Sequence, residues 1–191
     1  MAQLWVIAGP NGSGKTTVAD RWFAGRIPVI SPDSIAAQQH VSPVEAGRRA
    51  VHRQEALLAD GISFAVDTTL SGKRELALMR RAREAGYKVN LVFVGGPGPD
   101  LCIARIVQRV AEGGHWVPPD DVRRRHARSL ANFAPAFALA DRSFALDNAA
   151  LRARLILSWD EGRLRRRSSR LPAWARAAFP PHVLLQARLS E

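Results

Sequence analysis

The chain has 191 residues, 47% of them apolar, and a formal net charge of +11. That length is enough for one globular domain with a sizeable core, and no stretch reaches the roughly 18 apolar residues of a membrane span. The single Cys102 excludes an internal disulfide, and the positive field favours anionic ligands (nucleotides, phosphosugars or nucleic acid) without choosing among them.

Residues 4–8 read as a short buried strand. The glycine-rich turn that follows lacks the cleavage region of a signal peptide, so the chain is expected to be cytoplasmic, with Cys102 as core filler in a reducing compartment. A helix is predicted over 14–24 and a second strand over 27–30, ending near Asp33. Residues 43–59 form a helical stretch, and 62–66 a third strand ending at Asp67. Ser71 is placed to cap a helix that runs to Ala85 and stops at Gly86. A fourth strand spans 87–94, closed by Gly95-Gly96-Pro97. An amphipathic helix covers 100–111, with Ile103, Ile106, Val107 and Val110 on one face. Gly113-Gly114 break it, and Pro119 opens another helix with Asp120 and Asp121 in its first turn. That helix carries Val122, His126, Leu130, Phe133 and Phe137 on one stripe, His126 reading as a core histidine with its hydrogen bonds satisfied. Residues 143–146 and 154–159 are strands. Strands alternating with helices give the fold class: α/β, a P-loop nucleotide-binding fold with a parallel sheet flanked by helices and a lid. The organisation expected is a core over 1–150, its lid around 112–120, and a basic extension over 151–191. Trp174 and Phe179 suggest that the extension docks on the core. Its run from Arg163 to Arg167 reads as a solvated face.

Gly9-Pro10-Asn11-Gly12-Ser13-Gly14-Lys15-Thr16 fits G-x-x-x-x-G-K-[ST] without deviation. In such a loop backbone N–H groups point inward at phosphate oxygens. Lys15 reaches the β- and γ-phosphates of ATP and Thr16 holds Mg²⁺. Thr17 continues the loop into a helix whose N-terminus favours the same anion.

Open α/β sheets bind ligands at the carboxyl ends of their strands, where Asp33 and Asp67 fall. A kinase acting on a hydroxyl uses a carboxylate to accept or orient its proton. Asp33 is the candidate, with capping of a helix from Ser34 as the other reading. Asp67 and Thr69 stand beside the acceptor, or make a turn. Arg105 and Arg109, four apart, share a helix face and are placed to clamp a transferring phosphoryl group. His115 lies in the loop with two glycines before it and two prolines after it, which suits a lid. No partners at metal-ligand spacing accompany it. Asp147 and Asn148 flank the adenine or form a turn.

Several of these segments together resemble the zeta-toxin family of P-loop kinases: residues 8–17, Ile30-Ser31-Pro32-Asp33, and Asp67-Thr68-Thr69-Leu70-Ser71-Gly72-Lys73. Gly86-Tyr87-Lys88-Val89 and the stretch from Arg105 through Arg109 and His115 to Pro118 belong with them. The resemblance covers about residues 3–150. It implies a nucleotide-monophosphate-kinase-like fold and phosphorylation of UDP-N-acetylglucosamine at the sugar 3′-hydroxyl. It also implies a protein antitoxin as partner. In that scheme Asp33 is the catalytic base, Lys15 contacts the phosphates, Asp67 and Thr69 line the substrate site and Arg105 clamps the phosphate. Two positions depart from the family pattern: Asp67 stands where Glu is usual, and His115 near a usual lid arginine. The reading is an ATP-dependent small-molecule kinase. A nucleic-acid-directed kinase and a non-enzymatic nucleotide switch are the alternatives.

Overall fold

A computed structural model describes residues 1–96, 98–150 and 152–186. Pro97 of the predicted strand terminator, Leu151 at the predicted start of the extension, and residues 187–191 lie outside the described residues.

Seven strands form one sheet in the order β2-β3-β1-β4-β5-β6-β7. β1 (Gln3–Ala8), β2 (Val29–Ile30), β3 (Phe64–Thr68), β4 (Lys88–Gly95) and β5 (Arg142–Asp147) are parallel. Their connections carry α1 (Lys15–Phe23), α2 (Pro32–Gln39), α3 (Pro43–Ala59), α4 (Arg74–Glu84), α5 (Pro99–Ala111) and α6 (Pro119–Leu139). Alternation along β1 feeds both faces of the sheet. Leu4, Val6 and Ala8 join the main core with Phe64, Leu91 and Phe93, whereas Ile7 packs with Ala19 and Phe23 under α1. Burial on both faces explains why these strands read as continuous apolar runs.

The last two strands extend the parallel sheet with antiparallel pairings, so the sheet is mostly parallel. β6 (Arg154–Asp160) pairs antiparallel with β5, and β7 (Arg163–Arg167) antiparallel with β6. Six residues separate β5 from β6, too few for the crossover that parallel pairing needs. The run Arg163–Arg167, expected as a solvated face, is the edge strand of the sheet. Beyond it, α7 (Ala173–Ala178) and α8 (Pro181–Gln186) return to the core. Trp174, Phe179 and Val183 are buried with Phe93, Phe133 and Phe137, and the Phe133 and Phe179 rings lie 5.4 Å apart.

Two local readings also change. α4 begins at Arg74, and Lys73 occupies its N-cap without a side-chain cap; Ser71 bonds Thr69 instead. His126 is buried as expected, but its Nε2 finds no hydrogen-bond partner among the described residues.

Candidate active site

The turn between β1 and α1 wraps tightly because two of its glycines take left-handed backbone. Gly12 has φ +74°, and a Cβ there would stand 2.5 Å from the Cys102 carbonyl oxygen of α5. Gly14 has φ +93°, and its Cβ would meet Asn148 Nδ2 at 2.3 Å. Only glycine fits both the conformation and the contact. Inside the turn, Lys15 is buried and donates from Nζ to the Pro10 carbonyl at 2.9 Å. The Asn11 Oδ1 and Ser13 Oγ atoms are buried without a partner among the described residues. A buried lysine held only by a carbonyl, next to unsatisfied polar groups at a helix N-terminus, is a cradle built for an anion.

Asp67 is the penultimate residue of β3, next to β1 and in register with Ile7. The Thr16 hydroxyl donates to its Oδ2 at 3.4 Å. Burial lifts the Asp67 carboxyl above the usual carboxylate range. Lys15 opposes that shift, the charge of Asp33 adds to it and the Thr16 hydrogen bond opposes it. The carboxylate thus stands with Thr16 on the metal side of the cradle. Asp33 sits in the first turn of α2, but Ser31 caps the helix by accepting from the Ser34 N–H at 3.3 Å. The capping alternative for Asp33 is therefore set aside: its carboxylate is exposed and makes no hydrogen bond or ion pair among the described residues.

The cradle opens into a cleft of about 830 Å³. Lys15, Thr16, Thr17, Asp33, Asp67, Thr69, Arg105 and Arg109 all border it. Arg105 donates from Nη1 to the Asn148 carbonyl at 2.9 Å, and Arg109 from Nη2 to the His115 carbonyl at 2.9 Å. Lys15, Arg105 and Arg109 are thus all anchored on main-chain carbonyls, with no carboxylate within ion-pair distance among the described residues. His115 itself does not border this cleft. It lines a second cavity, of about 350 Å³, which shares Pro32 and Asp33 with the cleft. The predicted lid loop is pinned at one point, where Val117 packs with Cys102, Ile106 and Val122.

Sequence reasoning missed Gln54, Arg74 and Glu75 and left Asn148 undecided; these four border the cleft, and Arg125 does too. Gln54 carried a usable signal. It interrupts the buried stripe Ala46, Ala50, Leu58 at helical spacing, and a polar residue at such a position faces either a partner or a site. Asn148 ties the phosphate turn to the end of β4. Its Nδ2 donates to the Ser13 carbonyl at 2.8 Å and its backbone N–H to the Gly95 carbonyl at 2.9 Å.

The residues present fit a nucleoside triphosphate with Mg²⁺: Lys15 and the loop for the phosphates, Thr16 and Asp67 for the cation. A mostly parallel sheet with this cradle at the carboxyl end of its first strand defines a P-loop kinase-like fold. The chain belongs to the AAA domain family, whose model matches residues 4–136. An uncharacterized protein of Haemophilus influenzae is 32% identical over 136 residues, which is 65% of this chain and 97% of that relative. Among solved structures, the AvrRxo1-ORF1:-ORF2 complex with ATP superposes with a TM-score of 0.68 at 19% identity. The match covers 86% of this chain and 60% of that one, so the chain spans less than two thirds of it. The PezAT chromosomal toxin-antitoxin system of Streptococcus pneumoniae gives a TM-score of 0.60 at 17% identity, over 80% of this chain and 72% of that one. At these identities the likeness is one of fold. Among the described residues no helix is long and apolar enough to cross a membrane.

Proposed function

We propose that this protein is an ATP-dependent kinase that transfers the γ-phosphate to a hydroxyl of a small molecule. The observation that carries the reading is the opposition of charges across the cleft. Lys15, Arg105 and Arg109 have no carboxylate partner among the described residues, and they face two carboxylates, Asp33 and Asp67, at neighbouring strand ends.

Lys15 and the loop N–H groups hold the β- and γ-phosphates. Thr16 and Asp67 would hold a Mg²⁺ ion, which would neutralise charge on those phosphates. This gives Asp67 a metal-side role in addition to the substrate contact that the resemblance implies. Asp33 accepts the acceptor's hydroxyl proton as the oxygen forms its bond to the γ-phosphorus. The bond from that phosphorus to the bridging oxygen breaks and ADP leaves. Arg105 and Arg109 exchange their carbonyl partners for the equatorial oxygens of the transferring group, where the developing charge is greatest. Thr69 and His115 contact the acceptor.

UDP-N-acetylglucosamine and related nucleotide sugars are the acceptors implied by the zeta-toxin resemblance, and an antitoxin protein is the partner implied with them. A cytoplasmic site of action goes with both.

The test is ATP-dependent phosphorylation of a panel holding nucleotide sugars, free sugars, nucleosides and 5′-hydroxyl oligonucleotides, read by mass spectrometry. One small acceptor gains a phosphoryl group, and Asp33→Ala lowers kcat by about 10²–10⁴-fold while ATP still binds. Transfer confined to oligonucleotides favours the nucleic-acid-directed alternative, and ATP binding with no transfer at all favours a switch.

A further inference from the structure

The cavity of about 350 Å³ beyond Asp33 differs in chemistry from the main cleft. Ala37, Val41 and Pro43 of the α2–α3 region form one wall, Gly114 and His115 of the lid loop form the other, and Asp33 stands between them. Its volume lies at the small end of the range for small-molecule sites. Among the described residues no lysine or arginine lines it, and Asp33 is its only carboxylate. The His115 ring makes no hydrogen bond among the described residues, so it has a donor and an acceptor to offer an uncharged hydroxyl. Asp33 borders both spaces. A molecule seated in the small cavity therefore has Asp33 in its wall, beside the phosphate cleft that the same residue borders.

The charges of the main cleft argue in the same direction. Arg74 has Glu75 at 3.7 Å and Arg125 has Asp121 at 3.4 Å. The three cations left, Lys15, Arg105 and Arg109, border the nucleotide cleft and not the second cavity. A triphosphate satisfies them. An anionic group in the second cavity would face Asp33 with no cation among the described residues that line it, Arg109 being turned to the His115 carbonyl at 2.9 Å, an arrangement that disfavours binding and impairs the base.

We infer that the phosphate acceptor is an uncharged hydroxyl compound with an apolar face, of monosaccharide to nucleoside size, seated between α2 and the lid loop. This rests on the kinase reading above and narrows its acceptor class, separating it from the diphosphate-bearing acceptors that the resemblance implies. The hydroxyl loses its proton to Asp33, its oxygen gains the γ-phosphoryl group and ADP is released, so the only co-reactant is ATP.

The experiment compares matched acceptors of different charge: monosaccharides against their phosphates and nucleotide conjugates, and nucleosides against their monophosphates. Phosphoryl transfer by the full chain is read by mass spectrometry, and ATP affinity is measured separately by calorimetry. The inference expects transfer to a neutral member with kcat/KM at least tenfold above its charged counterpart. It also expects that Ala37→Phe, which fills the cavity from an exposed helix position, raises the acceptor KM at least tenfold while the Kd for ATP holds. Val41→Phe enters from the same wall as a second variant, and thermal melting confirms that each is folded. Transfer only to the charged counterparts, or an acceptor KM unmoved in both folded variants, overturns the acceptor assignment and leaves the kinase reading standing. Transfer to no member of either charge, with ATP bound, overturns the kinase reading and this inference with it.

Discussion

Asp67 and Gly12 show how individual residues trade stability for ligand binding. The Asp67 carboxyl is pushed above the usual carboxylate range chiefly by burial, so its charged form is the costlier one in the folded chain. Stability is then lost as pH rises from the unfolded-state pKa through the folded one, and it stays lower above that. Asp67→Asn removes this cost and keeps an oxygen for the Thr16 hydroxyl. In the absence of nucleotide and metal the variant should melt higher than the parent at pH 7, by roughly 2–4 °C for each kcal/mol relieved. The difference should close in acid, where the parent carboxyl is protonated as well. Phosphoryl transfer should fall by about 10²-fold or more, because the cation side of the cradle loses its charge. A parent that melts higher than the variant at pH 7 would contradict this account. Gly12 trades in the other direction. Gly12→Ala adds a Cβ 2.5 Å from the Cys102 carbonyl, a backbone atom that cannot turn away. It also places a side chain in left-handed backbone at about 1–2 kcal/mol. Both a lower melting temperature and weakened ATP binding are expected, measured by calorimetry on the same preparation.

At the scale of elements, legibility followed the range of the physics involved. The phosphate turn, the strands read at 4–8 and 87–94 and the helix from Pro119 are dictated by local pattern, namely glycine placement, continuous apolar runs and helical periodicity, and each stands within one residue of where it was read. The placement of Asp33 and Asp67 at strand ends followed from the same pattern. What escaped the sequence depends on distant partners. β7 is an arginine-rich strand only because β6 offers it a ladder, and Ser71 lost its capping role to a hydroxyl contact two residues away. The largest gap concerned the C-terminal helices, which lie beyond the residues matched by the family model and carry no motif. The first of them nevertheless touches Asp147, whose neighbour Asn148 borders the cleft. Trp174 of α7 packs so closely over Gly95 that a Cβ there would stand 2.4 Å from its ring. Its indole N–H donates to Asp147 Oδ1 at 3.1 Å. The next residue, Asn148, ties the phosphate turn to Arg105. Trp174→Phe keeps a ring in the core and deletes the indole donor. One hydrogen bond is worth about 0.5–1.5 kcal/mol net, so the KM for ATP should rise by about 2–10-fold, with a smaller change in kcat. An unchanged KM in steady-state assays would show that α7 contributes packing alone.

For the molecule as a whole, the net charge of +11 and the open sheet belong to one problem. A seven-stranded sheet that does not close has two edges, and an unpaired edge invites another chain to add to it. β2 answers with length, since it has only two residues, Val29 and Ile30. β7 has five and is a full-length edge; its protection is charge. Arg165 has Asp160 at 3.5 Å, while Arg163 and Arg166 are exposed without a carboxylate partner among the described residues. A second copy approaching β7 edge to edge would bring like charges within a few ångströms, less than the Debye length of about 10 Å at 0.1 M salt. The arginines of this strand therefore keep the protein dispersed, and their neutralisation should leave catalysis in place. Arg163→Gln combined with Arg166→Gln should leave kcat and the KM for ATP unchanged, because neither residue borders the cleft. The double variant should self-associate at concentrations where the parent sediments as a smaller species. Raising salt should move the parent in the same direction by screening the same repulsion. If the double variant instead sediments as the parent does across the salt series, the edge is guarded by something other than charge, and the arginines of β7 are free for another role.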